Sequence, residues 1–152
     1  MFSISEVIDL AVRIEENAEK YYLEAAEKMA DSTLSKLLLQ LAEQEREHVA
    51  WFLRLKEETA AKGVQDLAED EAGGLQQFLG DQKFSLGDTD LSRLQSIDDI
   101  LAVAIEFEQD TILFYSMLGS FIETAATSEA LEKIIAEEER HIELLEEHRS
   151  GK

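Results

Sequence analysis

The two halves of this 152-residue chain repeat one another at a constant offset. A shift of 93 residues aligns six identical pairs: Ala11 with Ala104, Glu15 with Glu108, Tyr22 with Tyr115, Leu38 with Leu131, Glu45 with Glu138 and His48 with His141. Because one offset serves all six pairs, we predict two copies of one structural unit, related by a two-fold axis.

Apolar residues in each half recur at spacings of three and four, which predicts amphipathic α-helices rather than strands. The absence of Pro and the abundance of Leu, Ala, Glu, Lys and Gln favour the same structure. We therefore predict an all-α four-helix bundle, with helices at about 4–30, 33–61, 97–124 and 128–148. Ser3 with Glu6, and Ser96 with Asp99, are spaced as helix-capping residues.

Residues 63–96 hold five of the seven glycines and lack the helical period, which predicts a connector. Such a long connector can travel the length of the bundle, which would make the second and third helices parallel. Two helical hairpins joined by one long crossover then form a single domain over residues 1–152.

The composition argues against several classes of protein. A net charge of -20, from 34 acidic and 14 basic residues, opposes binding to the phosphates of nucleic acid. No apolar run is long enough to span a membrane, so no membrane partner is expected and the cytoplasm is the expected location. Because the chain has no Cys, disulfides and thiolate metal sites are excluded.

Ionisable residues fall on the apolar helix faces, where charge is costly: Glu15, Glu45, His48, Glu108, Glu138 and His141. Each His follows a Glu by three residues, so both side chains of a pair lie on one helix face. Four carboxylates buried together must take up protons or bind cations. The pattern predicts a site for two divalent metal ions, and Glu with His suits iron or manganese. The alternative is a polar network in the core of a duplicated bundle.

The segments IEENAEKYY, EREH, FEQDTILFY and EERH resemble the ligand segments of rubrerythrin and other ferritin-like diiron-carboxylate proteins. The resemblance covers nearly the whole chain except the connector. It implies a ferritin-like bundle with two iron ions, for which manganese or zinc could substitute, and makes the four glutamates and two histidines the ligands. Glu45 and Glu138 would bridge the metals. Tyr22 and Tyr115 would orient carboxylates or simply pack in the core.

Two features differ from rubrerythrin. Its Cys-rich rubredoxin domain, which supplies electrons, has no counterpart in a chain without Cys, so an external electron donor is expected. Rubrerythrin also has an additional Glu where this chain has Thr111, and Asp110 is one position away. This difference argues against the family's redox-linked shift of one iron, and against peroxidase activity with it.

Three functions share this set of ligands. The leading hypothesis is an oxidoreductase in which reduced iron reacts with peroxide or dioxygen. The second is iron oxidation, storage or delivery, and the third is a non-catalytic interaction module that metal stabilises. The sequence does not choose among them, because all three use the same residues.

Several large apolar residues lie off the stripes that carry the ligands: Leu39, Leu53, Phe78, Leu79, Phe84 and Phe121. The crossover can cover one flank of the bundle, and a second copy of the chain is expected to cover the rest. The sequence therefore predicts a homodimer. His148, near the end of the last helix, is predicted to be a surface residue rather than a ligand.

Overall fold

The computed structural model describes residues 4–30, 32–61, 96–120 and 125–149, and it contains four helices in the predicted order. The helices are α1 (Ile4–Lys28), α2 (Ser32–Ala61), α3 (Ile97–Gly119) and α4 (Ala125–Glu147). Helix α1 packs along α2, and α3 packs along α4. These hairpins confirm the predicted all-α four-helix bundle, and no strand occurs in the described ranges.

The predicted connector at 63–96 lies outside the described residues, apart from Ser96. Its course, and the parallel direction of the second and third helices, stay predictions. Ser96 does cap α3, since its side-chain oxygen accepts a hydrogen bond from the Asp99 amide at 3.1 Å. The other predicted cap, Ser3, is outside the described ranges.

The core repeats in the same way as the sequence. Tyr22 of α1 and Tyr115 of α3, which are 93 positions apart, are both fully buried. Phe52 of α2 packs on Tyr115, with 5.2 Å between ring centroids. Each helix therefore turns its apolar stripe inward, together with the charged residues on that stripe.

One residue of the α3 stripe departs from the prediction. Ile97 is 44% exposed, although its spacing places it on the apolar stripe. It is the first residue of the helix, and burial of the stripe begins at Ile100, whose carbonyl accepts a hydrogen bond from the Tyr21 hydroxyl at 2.7 Å. The packing against α1 thus begins one turn after the helix does.

The predicted homodimer depends on apolar residues exposed on the outer faces of the bundle, and it stays a prediction. Leu39 and Leu53 are each nearly half exposed, in agreement with their place off the stripes. The remaining apolar residues of that prediction, Phe78, Leu79, Phe84 and Phe121, lie outside the described residues.

Among the helices that the structure describes, none is long and apolar enough to cross a bilayer.

Candidate metal centre

All six predicted ligands are buried at the centre of the bundle, with between 0% and 4% of each residue exposed. They form two overlapping groups: Glu15, Glu45, His48 and Glu138 in the first, and Glu45, Glu108, Glu138 and His141 in the second. In each group, the four atoms offered as ligands lie within 4.8 Å of one another. Glu45 and Glu138 belong to both groups, which is the arrangement expected of bridges between two metals.

Both histidines turn the same ring atom toward the shared carboxylates. His48 Nδ1 lies 2.8 Å from a carboxylate oxygen of Glu138. His141 Nδ1 lies 3.2 Å from Glu45 and 3.5 Å from Glu138. The two rings are nearly parallel, with 6.5 Å between their centroids. The imidazoles therefore present one nitrogen each to the pair of carboxylates between them.

The hydrogen bonding shows that this cluster fits a metal better than it fits a polar network. In the described part of the chain, seven buried side-chain atoms lack a properly directed hydrogen bond: Glu15 Oε2, Glu45 Oε1, His48 Nδ1, Glu108 Oε2, both carboxylate oxygens of Glu138, and His141 Nδ1. All seven belong to the predicted ligands. Each such atom costs about 1–3 kcal/mol, and a network built for the core would pair them. The two groups of predicted ligands offer mostly carboxylate oxygens with one imidazole each, and this set of donor atoms suits iron or manganese.

Two tyrosines hold the outer carboxylates across the bundle. The Tyr22 hydroxyl of α1 donates to Oε1 of Glu108 on α3, at 2.8 Å. The Tyr115 hydroxyl of α3 donates to Oε1 of Glu15 on α1. In each glutamate, the second oxygen, Oε2, faces the cluster without a hydrogen bond. The tyrosines thus fix the carboxylates as well as filling the core.

Removing one of these hydroxyls should weaken metal binding. We expect Tyr22→Phe and Tyr115→Phe to lower metal affinity about 10- to 100-fold, because the carboxylate they orient becomes free to rotate. Tyr21→Phe is the matched control, since that hydroxyl bonds to a backbone carbonyl instead. Chelator competition with Mn(II) measures the affinities. Equal affinities in all three variants would show that the tyrosines only pack in the core.

Sequence reasoning missed two residues that contact the histidines from outside the cluster. His141 Nε2 donates to the side-chain oxygen of Gln44, and His48 Nε2 donates to Glu137 Oε1 at 3.1 Å. A proton held on Nε2 leaves the lone pair on Nδ1, the nitrogen that faces the cluster. Gln44 and Glu137 are also 93 positions apart, each directly before the Glu of a Glu-x-x-His segment. Extending the repeat by one position would have found them.

Comparison with known proteins identifies the family. The rubrerythrin family model matches residues 6–96, which is more than half of the chain. The chain belongs to the rubrerythrin family. The crystal structure of a candidate ferritin-like diiron-carboxylate protein from Thermotoga maritima is also similar, with 25% identity and a TM-score of 0.78. The likeness covers 99% of this chain and 96% of that one. No curated protein gave a match.

At the position where rubrerythrin has an additional glutamate, this rubrerythrin-family chain has Thr111, which bonds within its own helix. Thr111 is buried, and its hydroxyl donates to the Phe107 carbonyl one turn earlier at 2.9 Å. Neither Thr111 nor the partly buried Asp110 belongs to the two groups found among the described residues. His148 also lies outside both groups; its Nδ1 is 2.9 Å from the Leu144 carbonyl.

The carboxylates raise the pKa of both imidazoles. Burial alone would lower the pKa of His48, but its contacts with Glu138 and Glu15 outweigh burial and raise the pKa to about 11. For His141, burial is outweighed by contacts with Glu108 and Glu138, and the pKa rises to about 10. In the metal-free rubrerythrin-family protein, both imidazoles therefore carry a positive charge at neutral pH.

The carboxylates themselves share protons unevenly. Burial, followed by the negative charge of Glu138, raises the pKa of Glu15, Glu45 and Glu108. Burial also opposes ionisation of Glu138, but its contacts with Glu108 and both histidines hold its pKa well below the usual range. Without metal, protons therefore provide the positive charge that this buried cluster needs.

Metal uptake should release these protons. Both imidazoles must lose a proton before Nδ1 can bind a metal, so we expect loading with Zn(II) to release at least two protons per chain. Because protons compete with metal, the affinity should rise from about pH 6 to about pH 8, a range in which the metal-free histidines stay protonated. The pH change of a weakly buffered solution measures the release. A loading step that releases no protons would show that the imidazoles are neutral beforehand.

Proposed function

We propose that this protein holds two iron ions in the buried cluster and acts as an oxidoreductase on peroxide or dioxygen. The proposal rests on one observation above all: seven buried side-chain atoms lack a properly directed hydrogen bond, and all of them belong to residues of two groups that share Glu45 and Glu138. Two divalent cations would neutralise four carboxylates and give each of these atoms a metal to bind.

The positions of the side chains suggest a role for each in holding iron. Glu15 and His48 would complete the coordination of one ion, and Glu108 and His141 that of the other. Glu45 and Glu138 would bridge the two ions. Manganese or zinc would fit the same ligands, although only iron and manganese could support redox chemistry.

The protein around the cluster would support that chemistry by position and by exclusion of water. When bound, iron supplies electrons and acts as a Lewis acid. The tyrosines keep the outer carboxylates in place, and the buried helix faces keep bulk water away. These 152 residues contain no Cys, so a rubredoxin-type centre that supplied the electrons would lie outside them.

A surface cavity of about 360 Å³ offers small molecules an approach to one side of the cluster. Gln44 lines this cavity and also contacts His141, so it connects the cavity wall with the imidazole. Glu43, Glu47 and Arg140 line the cavity as well, which gives it a polar wall suited to peroxide or a hydrated cation.

Thr111 favours a second candidate function, iron oxidation for storage or delivery. The additional glutamate that would take part in a redox-linked shift of one iron is absent from this chain. Thr111 stands at its position, and the Thr111 hydroxyl bonds to a carbonyl of its own helix. A site without that shift can still bind Fe(II) and pass an electron from it to an oxidant.

One experiment separates these functions. The protein is loaded with Fe(II) without oxygen, and absorbance is followed in a stopped-flow instrument after addition of peroxide or, separately, of dioxygen. Fast oxidation with repeated turnover in the presence of a reductant supports the oxidoreductase. Oxidation followed by continued iron uptake supports the second candidate, whereas a bound but inert metal contradicts both and supports a module that metal only stabilises. Glu45→Ala is the control for iron outside the cluster.

A further inference from the structure

The two halves of the cluster differ at one position that contacts a histidine. In the first half, the outer nitrogen of His48 donates to the carboxylate of Glu137. In the second half, the outer nitrogen of His141 donates to the amide oxygen of Gln44. The acceptors occupy equivalent positions of the repeat, so one half has a charged acceptor where the other has a neutral one.

The two halves otherwise use the same kinds of cluster residues. Each half has one outer glutamate held by a tyrosine from the opposite hairpin, one buried imidazole and the same two shared carboxylates. The acceptor on the imidazole is therefore the clearest chemical difference between the halves in the described residues.

A charged acceptor makes an imidazole a better metal ligand. A hydrogen bond to a carboxylate is roughly twice as strong as one between neutral groups, and it increases the electron density on the other ring nitrogen. Such outer contacts change metal affinity by about 10- to 100-fold. Glu137 is 29% exposed, so water screens its charge only in part.

We propose that Glu137 makes the His48 half the tighter of two unequal metal positions, so that the two ions bind in a fixed order. This proposal rests on the proposed two-metal site. The first ion binds with Glu15 and His48, and the second binds with Glu108 and His141. Since Gln44 also lines the surface cavity, the weaker position is the one nearer to it. One ion is then resident, and the other is the one that exchanges.

Stepwise loading with Zn(II), followed by NMR of ¹⁵N-labelled histidine, tests the order. Up to one Zn(II) per chain, we expect the Nδ1 signal of His48 to shift while that of His141 stays in place. The second equivalent should then shift His141. The dissociation constants of the two steps should differ about 10- to 100-fold. Signals that shift in parallel, or His141 shifting first, would overturn the proposal.

Exchanging the two acceptors provides a matched control with unchanged net charge. In Q44E/E137Q, the order of loading should reverse, because the carboxylate now contacts His141. In E137Q alone, the two steps should become nearly equal. A wild-type order that survives the exchange contradicts the role of Glu137, even if two Zn(II) ions bind. If neither histidine signal responds to Zn(II) at all, the two-metal site fails, and the order with it.

Discussion

Glu45→Ala is expected to reduce the metal content from two ions per chain to none that survives desalting. Glu45 belongs to both groups of candidate ligands, so its loss would remove an oxygen from each proposed metal position at once. It also leaves Glu138 as the only shared carboxylate. Because outer contacts alone change affinity about 10- to 100-fold, losing a shared ligand should cost more than 100-fold. Elemental analysis of protein loaded with Fe(II) and then desalted measures the result, and Glu138→Ala should behave in the same way.

Two further variants show whether the effect is specific. Glu15→Ala removes a ligand from one group only, so at least one ion should remain. His148→Ala should retain both, since His148 contacts a backbone carbonyl outside the cluster. A metal content that Glu45→Ala leaves unchanged would show that the ions bind elsewhere.

Metal should raise the melting temperature of the protein by about 10 °C at neutral pH. A ligand present at about 1,000 times its dissociation constant stabilises the folded state by about 4 kcal/mol. For a chain of this size, each kcal/mol shifts the midpoint by about 2–4 °C.

Thermal unfolding followed by circular dichroism, with and without saturating Mn(II), measures this shift. Glu45→Ala serves as the control, because it should show no shift on addition of Mn(II). Without metal, the midpoint of Glu45→Ala should differ from that of wild type by less than the Mn(II)-induced shift of wild type, because the substitution only removes one crowded carboxylate. Equal midpoints for wild type with and without Mn(II) would contradict a site that is occupied only in the folded state.

The sequence contains enough information for the fold and for the positions of the six cluster residues. A charged residue on an apolar helix stripe must point inward, so Glu15 and Glu108 could be placed in the core from spacing alone. The 93-residue repeat then indicated that the two Glu-x-x-His segments occupy equivalent positions. These inferences need only the period of a helix and the cost of burying charge.

Contacts between helices could not be predicted in this way. Tyr22 donates to Glu108 on another helix rather than to Glu15 on its own, and this depends on how α1 and α3 face each other. Gln44 and Glu137 contact histidines on the opposite hairpin for the same reason. Helical period fixes the direction of a side chain on its own helix, but not which residue of a neighbouring helix it meets.

The most direct test of the central claim is a crystal structure of the Fe(II)-loaded protein with anomalous scattering measured at the iron edge. The account predicts two iron peaks about 3.5–4 Å apart. One should lie beside His48 Nδ1, the other beside His141 Nδ1, with carboxylate oxygens of Glu45 and Glu138 between them. A single peak, or two peaks away from these six side chains, would contradict it.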